Sequence, residues 1–566
     1  MEEPINAQTL RNVRFIGSLH NGDEIDAACG LPAGAGPTDR IEAAWRQWGT
    51  EMPSHLTGDW SLVIGTAEET FLARDPVGMK PLFYRIDGNR LHHGFSVAEL
   101  RRDTDGPATP DPDWMARYLL GLSLSHDRTA YHEIRRLPPG HWLLHRPGQV
   151  PRLVRYHHWR DDAPDARRRD PAHVAAYRSA LEQAIRRRMM PQGVMGVEIS
   201  GGMDTSTLLA FLARFTDDPD ARLSGFSYAM LEQERACIAE SVKAAGISRV
   251  FLIDNPMANR IDDAAMLFGS RTLGQPAEHA NATGHVPFYE ECRRQGITTL
   301  YSGFGGDEVV TGSGALLHWE LADKRRLLAL MQIKSGSLPM RALRALKGAV
   351  LPRRKPPFHP AIRQAYERRW PTLFVRDAVV ERLALREAFM QSAAYDGPYR
   401  AINDFIIGHQ LQHPNLAIRM ENCTIIAAAY GVDYRWPLLD AQLVQHYLST
   451  PSIEKYGPHG TTRYLHRRAI DGIVPDSIAW KPSKSMGGLI AGGQEQIMSM
   501  TLAAARRHEA HLHPALDPII DRGKLRGLID RARHGPSTLE FTIAFLLNIN
   551  ALRELNLWLH DDLLPE

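Results

Sequence analysis

The run Val197-Glu-Ile-Ser-Gly-Gly-Met-Asp-Thr-Ser-Thr207 carries the strongest chemistry in the chain. An apolar strand leads into Ser200-Gly201-Gly202, and a helix begins almost at once. Two glycines let the backbone approach an anion closely, and a helix N-terminus offers unpaired N–H groups and a favourable dipole. Ser200, Thr205 and Ser206 add hydroxyls there, and Asp204 adds a carboxylate. The string is not GxxxxGK[ST], so the cradle is of another kind. A second string, Tyr301-Ser-Gly-Phe-Gly-Gly-Asp-Glu308, sets Ser302, Gly303 and Asp307 beyond another short apolar run.

The elements around these strings alternate in type. A long helical stretch over 173–190 precedes short buried strands at 193–199, 223–229, 249–253 and 297–301. Helices over 205–215 and 232–245 lie between them. Strands alternating with helices predict a parallel sheet covered on both faces. From about Leu316 onward the pattern is mostly helical. Before residue 155 or so, runs such as Arg14–Leu19, Trp60–Gly65, Thr70–Ala73, Pro81–Arg85 and His141–His145 alternate between Gly, Asp and Pro, as antiparallel strands do. Arg160–Pro171 is rich in charge and proline and is the best linker candidate.

Composition excludes several classes. The 67 Lys+Arg and 65 Asp+Glu leave a net charge of +2 over 566 residues, which argues against a bulk nucleic-acid binder. The four cysteines, Cys29, Cys237, Cys292 and Cys423, lie too far apart for a zinc ribbon or a disulfide framework. No apolar run approaches the length of a membrane span, and the start has no signal-peptide core. The expectation is a soluble, cytoplasmic protein.

SGGMDTS resembles the pyrophosphate loop of the N-type ATP pyrophosphatases, with Thr205 where serine is usual, and the second string resembles the SGxGxDE signature of their asparagine synthetase branch. The resemblance implies ATP and Mg²⁺ as cofactors. Ser200, Gly201, Gly202, Asp204, Thr205, Ser206, Ser302 and Gly303 would hold the nucleotide, and Asp204 and Asp307 the metal. Hard carboxylate oxygens with retained waters suit Mg²⁺. Gly431-Val-Asp-Tyr-Arg-Trp-Pro-Leu-Leu-Asp440 resembles the branch's EvRxPFLD segment, in which Arg435 and Asp440 form either a structural ion pair or part of the site. Trp480-Lys-Pro-Ser-Lys-Ser-Met-Gly-Gly488 resembles its lysine loop. There Lys484, chosen over Lys481, would be catalytic together with Asp307 by neutralising charge on pyrophosphate and on the tetrahedral intermediate.

Leu72-Ala-Arg-Asp-Pro-Val-Gly-Met-Lys-Pro-Leu-Phe-Tyr84 resembles the glutaminase stretch of the same branch. The fold implied is α/β. An Ntn-hydrolase-like, glutaminase-type antiparallel domain over 1–160 and a linker over 161–172 precede an adenine nucleotide α-hydrolase-like parallel-sheet synthetase domain over 173–566 with a helical carboxy-terminal half. Glutaminases of this type use a cysteine whose own α-amine is the base. Position 2 is Glu2, so glutamine-derived ammonia is not expected and the domain is read as degenerate. Three relatives fit: asparagine synthetases, β-lactam and carbapenam synthetases, and lasso peptide cyclases. Phe304 stands where the first commonly have Glu and the second Tyr, and it has no group to move a proton. An apolar lining suits a peptide, so the chain is read as a lasso peptide macrolactam synthetase. Its substrate would be a precursor peptide, with a leader peptidase and a leader-binding protein as possible partners. Glu308 is one candidate for the general base. A small-molecule amide ligase and a non-catalytic nucleotide-binding scaffold are the alternatives.

Overall fold

The computed structural model describes residues 12–104, 106–122, 125–228, 232–253, 262–312, 314, 316–350, 366–392, 399–481, 494–535 and 538–562. Strands β1 (Asn12–Leu19), β2 (Gly58–Gly65), β3 (Thr70–Arg74), β4 (Phe83–Asp87), β5 (Arg90–Gly94), β6 (Ile134–Arg136), β7 (His141–His145) and β8 (Arg152–Arg155) build the amino-terminal region. They form an antiparallel sheet in the order β1-β2-β3-β7-β8 and a three-stranded sheet β5-β4-β6. Val63, Leu72, Leu82, Leu137 and Leu143 make one buried cluster here. Helices α1 (Gly22–Cys29) and α2 (Pro37–Trp48) supply Ile25, Ile41 and Trp45 to another, with residues of β2 and β3.

The loop after β8 ends at α3 (Pro171–Arg186), where Pro171 takes the first helical position and the Asp170 side chain caps the Ala172 N–H. A five-stranded parallel sheet follows. Its strands are β9 (Met195–Glu198), β10 (Leu223–Ser227), β11 (Val250–Leu252), β12 (Thr299–Tyr301) and β13 (Asp433–Arg435), in the order β11-β10-β9-β12-β13. The order reverses between β9 and β12, and ligands of open α/β sheets bind beyond the strand ends at such a point. Helices α4 (Met203–Arg214) and α5 (Glu232–Ala245) belong to this layer. The helical half includes α6 (Leu327–Ile333), α7 (Leu338–Val350), α8 (Pro414–Ala429) and α9 (Leu539–Asp562). Among the described residues no helix is long and apolar enough to cross a membrane.

The two regions share a core and buried ion pairs. Phe83, Val97 and Trp114 cluster with Phe545, Ile549 and Leu552 of α9. Arg74 and Arg136 from the antiparallel region meet Glu421 of α8, at 3.2 and 2.8 Å, and Arg136 also pairs with Glu278. Arg188, just past α3, joins Asp59 of β2 to Asp440, with Nη1 2.6 Å from the latter. Lys80 Nζ lies 2.9 Å from Asp433.

The Arg435–Asp440 pair considered from the sequence does not form. Arg435 pairs with Asp433 at 2.7 Å, while Asp440 faces Arg188 and caps the N–H groups of Gln442 and Leu443. The segment that resembles a synthetase signature thus fastens the two regions together. So does the glutaminase-like string. Arg74 donates to the carbonyls of Leu137 and Gly78, and Asp75 gathers the N–H groups of Val77, Gly78 and Met79. Burial pushes the Asp75 carboxyl up to about 7.

Candidate active site

Both chemistry-bearing strings leave the carboxyl ends of neighbouring central strands. After β9 the chain turns through Gly201, whose φ of +63° favours glycine. A Cβ there would sit 2.7 Å from Cys237 Cβ and 3.0 Å from the Glu234 carbonyl oxygen. Gly202 is the N-cap of α4, in extended backbone, and this 12-residue helix points its N-terminus at the loop. The Thr205 hydroxyl accepts from the Ser200 N–H at 3.1 Å and lies 3.2 Å from the Ser200 hydroxyl, closing the turn. Ser206 is placed differently. Its hydroxyl pairs with Ser241 of α5 at 2.9 Å in a buried helix contact, turned into the core and not towards the loop.

The second string packs down on the first. A Cβ on Gly303 would lie 2.9 Å from the Thr205 nitrogen, and one on Gly306 would lie 2.5 Å from Asp204 Cγ. These glycines are what let the two loops touch. Ser302 donates to Glu198 Oε2 at 2.6 Å and accepts from the Phe304 N–H at 3.2 Å, so it shapes the turn. Glu308 accepts the Gly305 N–H at 2.9 Å, and burial raises its carboxyl pKa against the opposing charge of Arg419.

Asp204 and Asp307 converge on a single cation. Arg463 Nη1 is 3.3 Å from Asp204 Oδ2, and Arg463 Nη2 contacts Asp307 Oδ1. Asp204 Oδ1 also accepts from the Thr311 hydroxyl at 2.7 Å. Arg463 holds a φ of +57°, an uncommon conformation for a side-chain-bearing residue, at the start of the helix Tyr464–Ala469. Two carboxylates that one guanidinium bridges also fit Mg²⁺, which takes one or two carboxylates and completes its shell with phosphates and water. Among the described residues no group of three or more His, Cys, Asp or Glu could hold a metal by itself, so phosphate oxygens would have to share the ion.

Lys484 lies outside the described residues. Lys481 is described, and its Nζ lies 3.5 Å from Cys237 Sγ, beside the Gly201 turn. A cation of this segment therefore stands next to the Gly201 turn.

Phe304 departs from a bare apolar wall. It is 8% exposed, and the Arg419 guanidinium lies over its ring at 3.6 Å. Such stacking holds the guanidinium on the ring, where its charge also acts on Glu308 and Glu198. Behind it lies a buried polar cluster. Tyr434 donates to Glu198, and His285 Nδ1 lies 3.0 Å from the Tyr434 hydroxyl. Burial raises the Glu198 pKa, opposed by its hydrogen bonds from Ser302 and Tyr434.

Sequence reasoning missed Arg463, Arg419, Thr311 and Glu198. Glu198 lies inside the first string, two residues before Ser200, where a polar residue in an apolar strand is the one signal that points to it. Arg419 and Arg463 carry no local signal, because their partners lie more than a hundred residues away in the chain.

The asparagine synthase family pattern matches residues 176–560, and a glutamine amidotransferase domain pattern matches residues 15–157. Amidase chry2 of Gibberella zeae is 23% identical over 49% of this chain and 43% of its own length. Amidase chyE of Penicillium rubens is 24% identical over 50% and 44%. The chain thus spans less than half of those two relatives. Asparagine synthetase [glutamine-hydrolyzing] 1 of Bacillus subtilis is 22% identical over 78% of this chain and 69% of its own. Similarity to the solved allosteric regulatory enzyme of purine biosynthesis is slight, at 12% identity and a TM-score of 0.21 over 44% of this chain and 61% of that one. With one pattern spanning most of its length, and a glutamine amidotransferase domain ahead of it, the chain belongs to the asparagine synthase family.

Proposed function

We propose that this chain is an AMP-forming macrolactam synthetase of the lasso peptide type. A precursor peptide's Asp or Glu side chain would attack the α-phosphorus of ATP, and the Pα–O bond to pyrophosphate would break. The peptide's own α-amine would then attack the acyl carbon, releasing AMP and closing an isopeptide ring. The Gly201–Gly202 turn and the N-terminus of α4 would bind the departing pyrophosphate. Asp204 and Asp307 would hold Mg²⁺, whose chemistry is to offset charge on the phosphates. Lys484, with Lys481 beside the cradle, would offset charge on the pyrophosphate and the oxyanion.

The observation that carries the peptide reading is the Phe304–Arg419 platform. Phenylalanine cannot relay a proton, and a cation held on its ring would disfavour the ammonium form of an amine that arrives there. Glu308, whose buried carboxyl has a raised pKa that the charge of Arg419 opposes, would accept the proton. Holding both ends of one peptide supplies the effective concentration that a free amine lacks.

The amino-terminal region supports the same reading. Its only cysteine, Cys29, closes α1, and burial and then Asp26 raise its thiol pKa, the opposite of activation for attack on glutamine. A second reading, amide formation from ammonia and a free diacid, has the Bacillus subtilis relative's name in its favour.

ATP–pyrophosphate exchange separates these. Exchange that requires a precursor peptide supports the cyclase. Exchange with a free diacid, or amide formation with ammonia, overturns it, and no exchange with any acid leaves a scaffold.

A further inference from the structure

Helix α7 is folded against the usual rule that a helix buries its large apolar side chains. Ala345 is 1% exposed, while Leu343 is 61% and Leu346 52% exposed. Leu338 and Met340 are exposed too, and α6 adds Leu328 at 78%. The small residue packs inward and the leucines stand outward.

The charge on this hairpin is one-sided. Between Lys324 and Lys347 the sequence has seven Lys and Arg and no Asp or Glu, in a chain whose net charge is only +2. Lys324 and Arg326 are answered by Asp165, and Lys324 also by Glu320. On α7, Arg341 donates to the Met331 carbonyl and Arg344 to the Ser335 carbonyl, each at 2.8 Å, and among the described residues neither pairs with a carboxylate.

We propose that the α6–α7 hairpin is a peripheral docking surface for an anionic lipid bilayer. Leu343 and Leu346 share one side of α7 with Arg344 and Lys347 beside them, the arrangement that seats a helix at the headgroup boundary. The basic charge of Arg341, Arg344 and Lys347 complements anionic headgroups, and the apolar side chains supply the buried area. Side chains exposed by more than half project from a ridge and do not line a groove, which favours a flat surface over a bound peptide. The attachment is peripheral, since no described helix can span the bilayer. This inference does not depend on the reaction proposed above.

The test is co-sedimentation of the full chain with vesicles of phosphatidylcholine alone and of equal parts phosphatidylcholine and phosphatidylglycerol. The chain should pellet with the anionic vesicles only and be released as salt rises. R344Q/K347Q should weaken partition about thirtyfold, as loss of two surface-facing charges implies. L343S/L346S should weaken it about tenfold or more, with an unchanged circular dichroism spectrum. No partition, or equal partition into both vesicles, overturns the proposal. So does a leucine variant that binds like the parent, which would point to charge alone and an acidic protein partner.

Discussion

Glu421 is one of the residues through which the amino-terminal region holds the carboxy-terminal one, and its substitution has a calculable cost. Its carboxylate is fully buried between two guanidiniums, with Arg74 Nη1 at 3.2 Å and Arg136 Nε at 2.8 Å. Glu421→Gln keeps the shape and removes the charge, leaving Arg136 with Glu278 and Arg74 with only the nearby charge of Asp75. Two charge-assisted contacts weaken, each worth about 1.5–3 kcal/mol, and an uncompensated buried cation costs about 3–5 kcal/mol in all. Because glutamine still accepts one hydrogen bond, the lower end applies, about 3 kcal/mol. With a urea slope of about 3 kcal/mol per M for a chain this large, the first unfolding midpoint should fall by about 1 M. Tryptophan fluorescence reads it well, since Trp60 and Trp114 lie in the amino-terminal region and Trp436 in the synthetase half. R74M/E421Q restores charge balance, leaves Arg136 facing Glu278, and should recover at least half of the loss. A midpoint equal to the parent's in Glu421→Gln, or no recovery in the double variant, would refute the buried-charge account.

Further outcomes follow from the same geometry. Gly201→Ala must place a Cβ at positive φ, which costs about 1–2 kcal/mol, and push it against Cys237. ATP–pyrophosphate exchange should drop about a hundredfold for a shift of about 1 Å in the cradle, with the fold retained; parental exchange would remove the loop's assigned role. His466 is buried against Thr207 and Tyr177, and burial lowers its pKa to about 4. The unfolded chain therefore takes up this proton first, so its contribution, about 3 kcal/mol, is present above pH 6.5 and is lost as pH falls towards 4. His466→Gln should flatten the stability profile across that window by one proton, and an unchanged slope in urea titrations would show the imidazole is not the cause.

The antiparallel and parallel regions were legible because their signals are local. Turn residues punctuate β1, β2, β3 and β7, and the helix α5 over Glu232–Ala245 matches its periodicity residue for residue. β13 was not legible. It is three residues long, lies at the sheet edge, and pairs with β12 some 130 positions earlier. That the two glycine-bearing strings meet fits their spacing, since Gly201, Gly303 and Gly306 stand where the backbones approach closely. What Asp204 and Asp307 face was not legible, because Arg463 and Arg419 arrive through tertiary packing. Asp433, Asp440, Arg74 and Lys80 show the reverse case, where a recognisable string serves the joint between the two regions.

The central claim is tested most directly by product stoichiometry with ATP and a precursor peptide. Macrolactam synthesis should give one AMP and one pyrophosphate for each peptide that loses one water, with Asp204→Asn abolishing all three together. ADP and phosphate as products, or nucleotide turnover without a dehydrated peptide, would contradict it.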